Sequence, residues 1–209
     1  MLLWINGPFG GGKTQTAYEL QRRLPGSVVC DPEMVGFGLH RMTPRPLRED
    51  FQNFPAWRQG VYEVLDLVLA KFDGVVIAPM TLVEPVYFQE IIGRLRDQGH
   101  DVRHFALLAA RATVLRRLRE RGVGHAVAFI AGKSAALKRQ SFAVRKLDLC
   151  LERLQGNEFA EQVWTDTIRV REVADRIAAS AGLTLIPNND SELRRRMNWA
   201  WTAIRHIRL

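Results

Sequence analysis

The sequence predicts an α/β fold of three layers, in which a parallel five-stranded sheet carries helices on both faces and a mobile helical lid. Three observations support it. The stretch Gly7-Pro8-Phe9-Gly10-Gly11-Gly12-Lys13-Thr14 lies between an apolar run, Met1 to Ile5, and a helical pattern with Ala17, Leu20 and Leu24 on one face, so it reads as strand, glycine-rich turn and helix. Apolar runs of strand length alternate with helical stripes along the chain, which implies parallel pairing with right-handed crossovers. The run Gly74 to Met80 is continuously apolar, as a central strand covered on both faces must be. A chain of 209 residues suits one such domain.

The opening turn fits G-x-x-x-x-G-K-[ST], the phosphate loop or Walker A pattern of the P-loop NTPase fold. Glycines there tolerate dihedrals that side chains forbid, so successive amide N–H groups can converge on an anion. The helix starting near Lys13 adds its positive dipole end and its unpaired amides. In this pattern Lys13 reaches the β- and γ-phosphates of a nucleotide, and the Thr14 hydroxyl takes one position on Mg²⁺. ATP and Mg²⁺ are therefore the expected cofactors.

Further along, Ser27 to Cys30 reads as a short strand ending at Asp31-Pro32-Glu33. Pro32 biases Asp31 toward an extended backbone, which puts its carboxylate at the sheet edge where ligands bind. A short helix or turns are expected around Phe37 to Met42 and a loop around Pro44 to Pro46. The long connection to Pro55 is read as a substrate wall. A helix over Trp57 to Lys71 turns Trp57, Val61, Val64, Leu65 and Val68 inward, with Arg58 beside that stripe. Pro79 ends the next strand. A helix after Pro85 buries Phe88, Ile91, Ile92 and Leu95 and stops near Gly99. A strand over Val102 to Leu108 and a helix over Thr113 to Arg121 follow, the helix halted by Gly122 and Gly124. His125 to Leu154 is expected to be helical in two pieces. Val163 to Thr167 supplies the last strand, and Val170 to Ala181 its covering helix. Ser191 opens an amphipathic basic helix, about 191–207, that either packs its stripe on the domain or lies on an anionic membrane.

Charge is concentrated. Between Arg111 and Lys146 ten Lys or Arg stand against one acid, Glu120, so this window exceeds the whole chain's net +8 and leaves the remainder slightly acidic. With few aromatic residues interleaved, the window argues against nucleic acid as partner. It reads as a lid, about residues 111–154, in which Arg117 and Arg121 share a helix face and bring guanidinium groups to nucleotide phosphates. Composition excludes a disordered chain. No apolar run is long enough to span a bilayer and the start lacks a signal-peptide pattern, so a cytoplasmic protein is expected. Cys30 and Cys150 lack metal-ligand spacing and read as buried thiols.

Asp31 is the candidate to accept a proton from an attacking hydroxyl or to hold magnesium through water. Its weight rises because the strand ending at Ala78-Pro79-Met80-Thr81 lacks the aspartate that many P-loop enzymes place there. Glu33 and Arg58 are weaker candidates for contact with an acceptor.

Trp4-Ile5-Asn6-Gly7, Phe9-Gly10, Gly12-Lys13-Thr14-Gln15-Thr16-Ala17, Asp31-Pro32-Glu33, Asp50-Phe51-Gln52, Trp57-Arg58, Pro79-Met80-Thr81, Glu90-Ile91-Ile92-Gly93-Arg94-Leu95-Arg96 and Thr165-Asp166 together resemble the bacterial tunicamycin-resistance protein family. The resemblance implies an ATP-binding protein with a nucleoside-kinase-like fold that protects cells against a lipid-tailed nucleoside antibiotic. Two readings follow: a phosphotransferase acting on a nucleoside-like small molecule, or ATP-dependent sequestration of the drug without chemistry.

Overall fold

A computed structural model describes residues 1–124, 144, 146–156 and 161–187, with side chains left aside for 121–124. The five strands are β1 (Leu2–Asn6), β2 (Val28–Val29), β3 (Val76–Pro79), β4 (Val102–Leu108) and β5 (Glu161–Trp164). They form one parallel sheet in the order β2-β3-β1-β4-β5. The fully buried strands, β1 and β3, lie inside the sheet, where both faces are covered.

Strand parity sorts the core into two layers. Leu2, Trp4, Val76, Ala78 and Val102 face α3 (Pro55–Lys71) and the helical stretch made of α4 (Pro85–Phe88), a π turn (Gln89–Gly93) and α5 (Arg94–Asp97). Leu3, Ile5, Ile77, Phe105 and Leu107 face α1 (Lys13–Arg23) and, further along the chain, the helix over Val170–Ser180. Between β4 and β5 come α6 (Arg111–Gly124) and α7 (146–154), so the Val170–Ser180 helix is α8. Ala109, Val114 and Leu147 join α6 to α7, while Cys150 and Leu154 pack α7 under β4.

The first elements after the phosphate loop follow the expected order with altered limits. β2 is an edge strand of two residues, although Cys30 N–H still donates to Ile77 O at 2.9 Å. α2 (Glu33–Met42) starts earlier than expected because Asp31 organises its first turn, and a 3₁₀ turn follows at Arg45–Leu47. Gly36 of α2 lies against a second 3₁₀ turn, Phe51–Asn53: a Cβ at Gly36 would sit 2.5 Å from the Phe51 ring. In α3, Trp57, Val61 and Leu65 are buried as expected, but Val64 is exposed.

Three later expectations need correction. α6 runs through Gly122 to Gly124, since an interior glycine costs a helix about 1 kcal/mol without breaking it. β5 lies two residues upstream of its expected start, and Thr165 N–H extends its ladder to Leu108 O at 2.8 Å. The π turn carried no signal in the apolar stripe, because its extra residue keeps Ile91, Ile92 and Leu95 all buried. The expected 191–207 helix and the first piece of the 125–154 segment lie outside the described residues. Among the described residues no helix is long and apolar enough to cross a membrane.

Candidate active site

The phosphate loop leaves β1 at the carboxyl edge of the sheet and turns tightly at Pro8, whose carbonyl accepts Gly11 N–H at 2.9 Å. Gly10 and Gly12 have φ of 81° and 94°, in the left-handed region that side chains avoid. Gly12 is also the N-cap of α1, whose first turn has neither a side-chain cap nor an acid. The early amides of a three-turn helix are thus left for an anion, as a triphosphate requires. Lys13, only 8% exposed, directs Nζ along the loop, donating to Gly7 O at 3.0 Å and Pro8 O at 3.1 Å, with the Phe9 ring 5.5 Å away. Thr14 follows, half-buried, on the first turn. This donor set fits a phosphate chain with its magnesium.

Behind the loop stands a buried polar clamp. The Asn6 amide accepts Gly7 N–H at 2.8 Å and Leu82 N–H at 3.0 Å and donates to Leu82 O at 2.6 Å. Thr81 Oγ donates to Gly7 O at 2.7 Å. These bonds tie the exit of β3 to the entry of the loop, and Thr81 stands where an aspartate is usual. Asn6 Nδ2 also lies 3.2 Å from His104 Nε2, a contact that an amide N–H makes only with an unprotonated ring nitrogen. Burial, helped by Arg96, lowers the His104 pKa to about 3, so the ring is neutral.

The acids and arginines singled out in the sequence fall in three places. Asp31 follows β2, half-buried, and its Oδ1 accepts Glu33 N–H at 3.0 Å, which starts α2 with Glu33 in the first turn. Pro32 O accepts the Trp57 indole N–H at 3.0 Å and fixes this corner on α3. Arg58 is held by Glu90, donates to Gln52 O at 2.6 Å and stacks on Tyr87 at 4.3 Å. On the far side, Arg117 donates to Thr165 Oγ at 3.0 Å and Thr165 O at 2.6 Å, bracing α6 against the end of β5. Burial lowers the Arg117 pKa. The Arg121 side chain lies outside the described residues. Asp166 caps the start of α6 by accepting Ala110 N–H at 3.0 Å, and a hydrogen bond from Thr113 leads the causes that hold its carboxyl below the usual range. α6 presses on the phosphate loop itself: a Cβ at Gly10 would lie 3.1 Å from Leu118.

A cavity of about 190 Å³ opens beside the loop at Phe9 and Thr81. Its remaining walls are Asp50, Gln52, Asn53, Val83, Glu84, Tyr87, Lys146, Leu149 and Cys150. Lys146 of α7 reaches Asp50 at 2.7 Å, Gln52 Nε2 donates to Thr81 O at 3.2 Å, and Tyr87 OH donates to Asn53 Oδ1 at 3.2 Å. Asp31, Glu33 and Arg58 are not among its lining residues. Arg58 reaches the cavity only through Gln52 and Tyr87, which it holds in place. Sequence reasoning missed Asp50, Glu84 and Lys146 as a group because they come from three distant segments, and Lys146 was read as part of the lid's charge. Burial raises the Cys30 and Cys150 thiol pKa values.

Comparison with known proteins gives a consistent result. A family model described as "AAA domain" matches residues 2–147. The tunicamycin resistance protein of Deinococcus radiodurans is 32% identical, with 90% of this chain and 99% of that one covered at a TM-score of 0.70. An APS kinase of Mycobacterium tuberculosis, solved with AMPPNP and APS, is 13% identical over 87% of this chain and 96% of that one, at a TM-score of 0.55. A shikimate kinase of Bacteroides thetaiotaomicron is 15% identical over 88% and 99%, also at 0.55. The fold is the α/β P-loop NTPase fold in its kinase-like form. None of the curated proteins matches the chain.

Proposed function

We propose, since the chain belongs to the tunicamycin-resistance protein family and to the AAA domain family, that it is an ATP-dependent phosphotransferase acting on a hydroxyl of a nucleoside-like antibiotic or similar small molecule. The observation that carries this reading is the phosphate loop, with Lys13 along it and an uncapped α1 behind it, bordering a cavity of about 190 Å³. The loop from Gly7 to Thr14 holds the phosphates of ATP. Thr14 would hold Mg²⁺, which would neutralise charge on the phosphate oxygens. The acceptor oxygen attacks the γ-phosphorus, a new O–P bond forms as the bond to the β–γ bridging oxygen breaks, and ADP departs. Asp31, at the end of β2 and outside this cavity, takes the hydroxyl proton from an acceptor that reaches that edge. Arg117, once released from Thr165, offsets charge on the moving phosphoryl together with Arg121. Arg58 supports the acceptor side indirectly, by holding Gln52 and Tyr87 in the cavity wall, and Glu33 stands with Asp31 at the start of α2.

Thr81 in place of an aspartate favours a second reading, ATP-dependent sequestration of the antibiotic without transfer. Incubation with γ-labelled ATP and tunicamycin separates the two: labelled drug supports transfer, and tight drug binding without labelled drug supports sequestration. Under transfer, Asp31→Asn loses turnover by about two orders of magnitude with ATP affinity nearly intact. Lys13→Ala loses activity under both readings; full activity in that variant overturns both.

A further inference from the structure

The β2 edge of the sheet carries an apolar groove that phosphoryl transfer does not use. Val28 and Cys30 form one wall, Leu67, Val68 and Phe72 the other, and the stem of Lys71 closes a volume of about 410 Å³. Leu67 is 53% exposed and Phe72 39%, and Val64, one turn from Leu67 on α3, is 48% exposed. Large apolar side chains along an open strand edge are a surface that proteins ordinarily cover.

The described residues end close to this groove. Ile186 N–H donates to Arg23 O at 2.8 Å, Arg23 Nε donates back to Ile186 O at 3.0 Å, and Arg23 Nη2 is held by Asp175 at 2.7 Å, so this corner is fixed. Three residues after Arg23 the chain turns into β2 beside Phe72, where a Cβ at Gly74 would run into both Gly26 O and the Phe72 ring. Arg23 and Gly26 are thus at most about 11 Å apart, a gap that the four residues Pro187 to Asp190, spanning up to about 14 Å, can cross.

We propose that the groove holds the chain's own C-terminal segment, 191–207, docked as an amphipathic helix through Leu193, Met197, Trp201 and Ile204. Their steps of four, four and three place them on one helical face, whereas Arg195 and Thr202 fall on the opposite one. Such a helix is about 25 Å long, more than the roughly 12 Å from Val64 to Phe72 along α3. The short tether selects this occupant: it sets an effective concentration on the order of millimolar, above that of a second copy in dilute solution. The docked helix covers Cys30 and shields the edge of β2 from strand addition. None of this depends on which reading of function holds.

The test is the reaction rate of Cys30 with a neutral maleimide in the full chain carrying Cys150→Ala, which leaves one thiol. Met197→Asp with Trp201→Asp is expected to speed the reaction about tenfold or more, because the undocked groove admits the reagent. Thr202→Asp puts a carboxylate on the other face and leaves the rate within about twofold. Leu67→Glu, at a position already exposed, reproduces the acceleration from the groove side, and combining it with the tail pair adds little, as two halves of one contact require. A nearby carboxylate by itself raises a thiol pKa and slows attack, so faster labelling reports uncovering. A cooperative urea transition shows that each variant is folded, and Leu67→Glu carries the comparison should the tail pair lose it. Protection is expected to persist through about a hundredfold dilution. Protection lost on dilution gives the groove to a second copy and overturns the proposal. Equal rates in the parent and every folded variant overturn it as well, including the case in which the tail pair abolishes sedimentation with phosphatidylglycerol vesicles, which puts the stripe on a membrane instead.

Discussion

His104 links chemistry to stability at the scale of one side chain. It is 3% exposed, packs against Phe88 at 5.1 Å and receives the Asn6 amide. Its folded pKa of about 3 lies below the unfolded value of 6.5, so between those limits the unfolded chain binds a proton that the folded chain refuses. Stability therefore falls as pH drops below 6.5, by about 1 kcal/mol per pH unit. Urea unfolding of His104→Gln between pH 7 and pH 4 should show a shallower acid slope than the parent. Single residues also mark what was legible beforehand. Lys13, Thr14 and the loop glycines were readable because their spacing is itself the chemistry. The Asn6 and Thr81 clamp was not, since its meaning depends on which strand lies next to β1. Arg58 was expected to contact an acceptor, but it stands behind the cavity wall, and its partner Glu90 comes from another helix, which no local pattern shows.

Among the elements, local signals settled the interior of the sheet and missed events set by neighbours. β4 matches its expected span although Arg103 and His104 interrupt its apolar run, because Phe105 to Leu108 is apolar and buried. The π turn at Gln89–Gly93 and the passage of α6 through Gly122 depend on packing, which a stripe of apolar residues does not specify. The contact of α2 with the Phe51–Asn53 turn rests on Gly36. Alanine there should gain about 1 kcal/mol of helix propensity but force the Phe51 ring, tilted against Trp57 at 5.5 Å, out of place. Overpacking of this kind costs about 1–3 kcal/mol, so Gly36→Ala is expected to lower stability by up to about 2 kcal/mol in urea unfolding. Because Phe51 lies between Asp50 and Gln52, the same variant should also weaken acceptor binding more than nucleotide binding.

On the scale of the molecule, β1 is paired on both sides, by β3 and β4, and is buried along its whole length, whereas β2 closes one edge with two residues. Native-state hydrogen exchange should accordingly find the slowest amides in β1, β3 and β4, with β2 and β5 exchanging through smaller openings. Fast exchange in β1 would mean that the sheet does not unfold as one unit. The three-layer plan was legible from alternation alone, while the cavity was not, because its walls come from the α2–α3 connection, the start of α4 and α7. The phosphate loop holds one more consequence. Gly7 O has two donors, the ammonium of Lys13 and the hydroxyl of Thr81. A lysine that swung toward an incoming anion would leave the threonine behind as a standing host for that oxygen. The departure therefore strands no buried acceptor, and the catch can open at little cost.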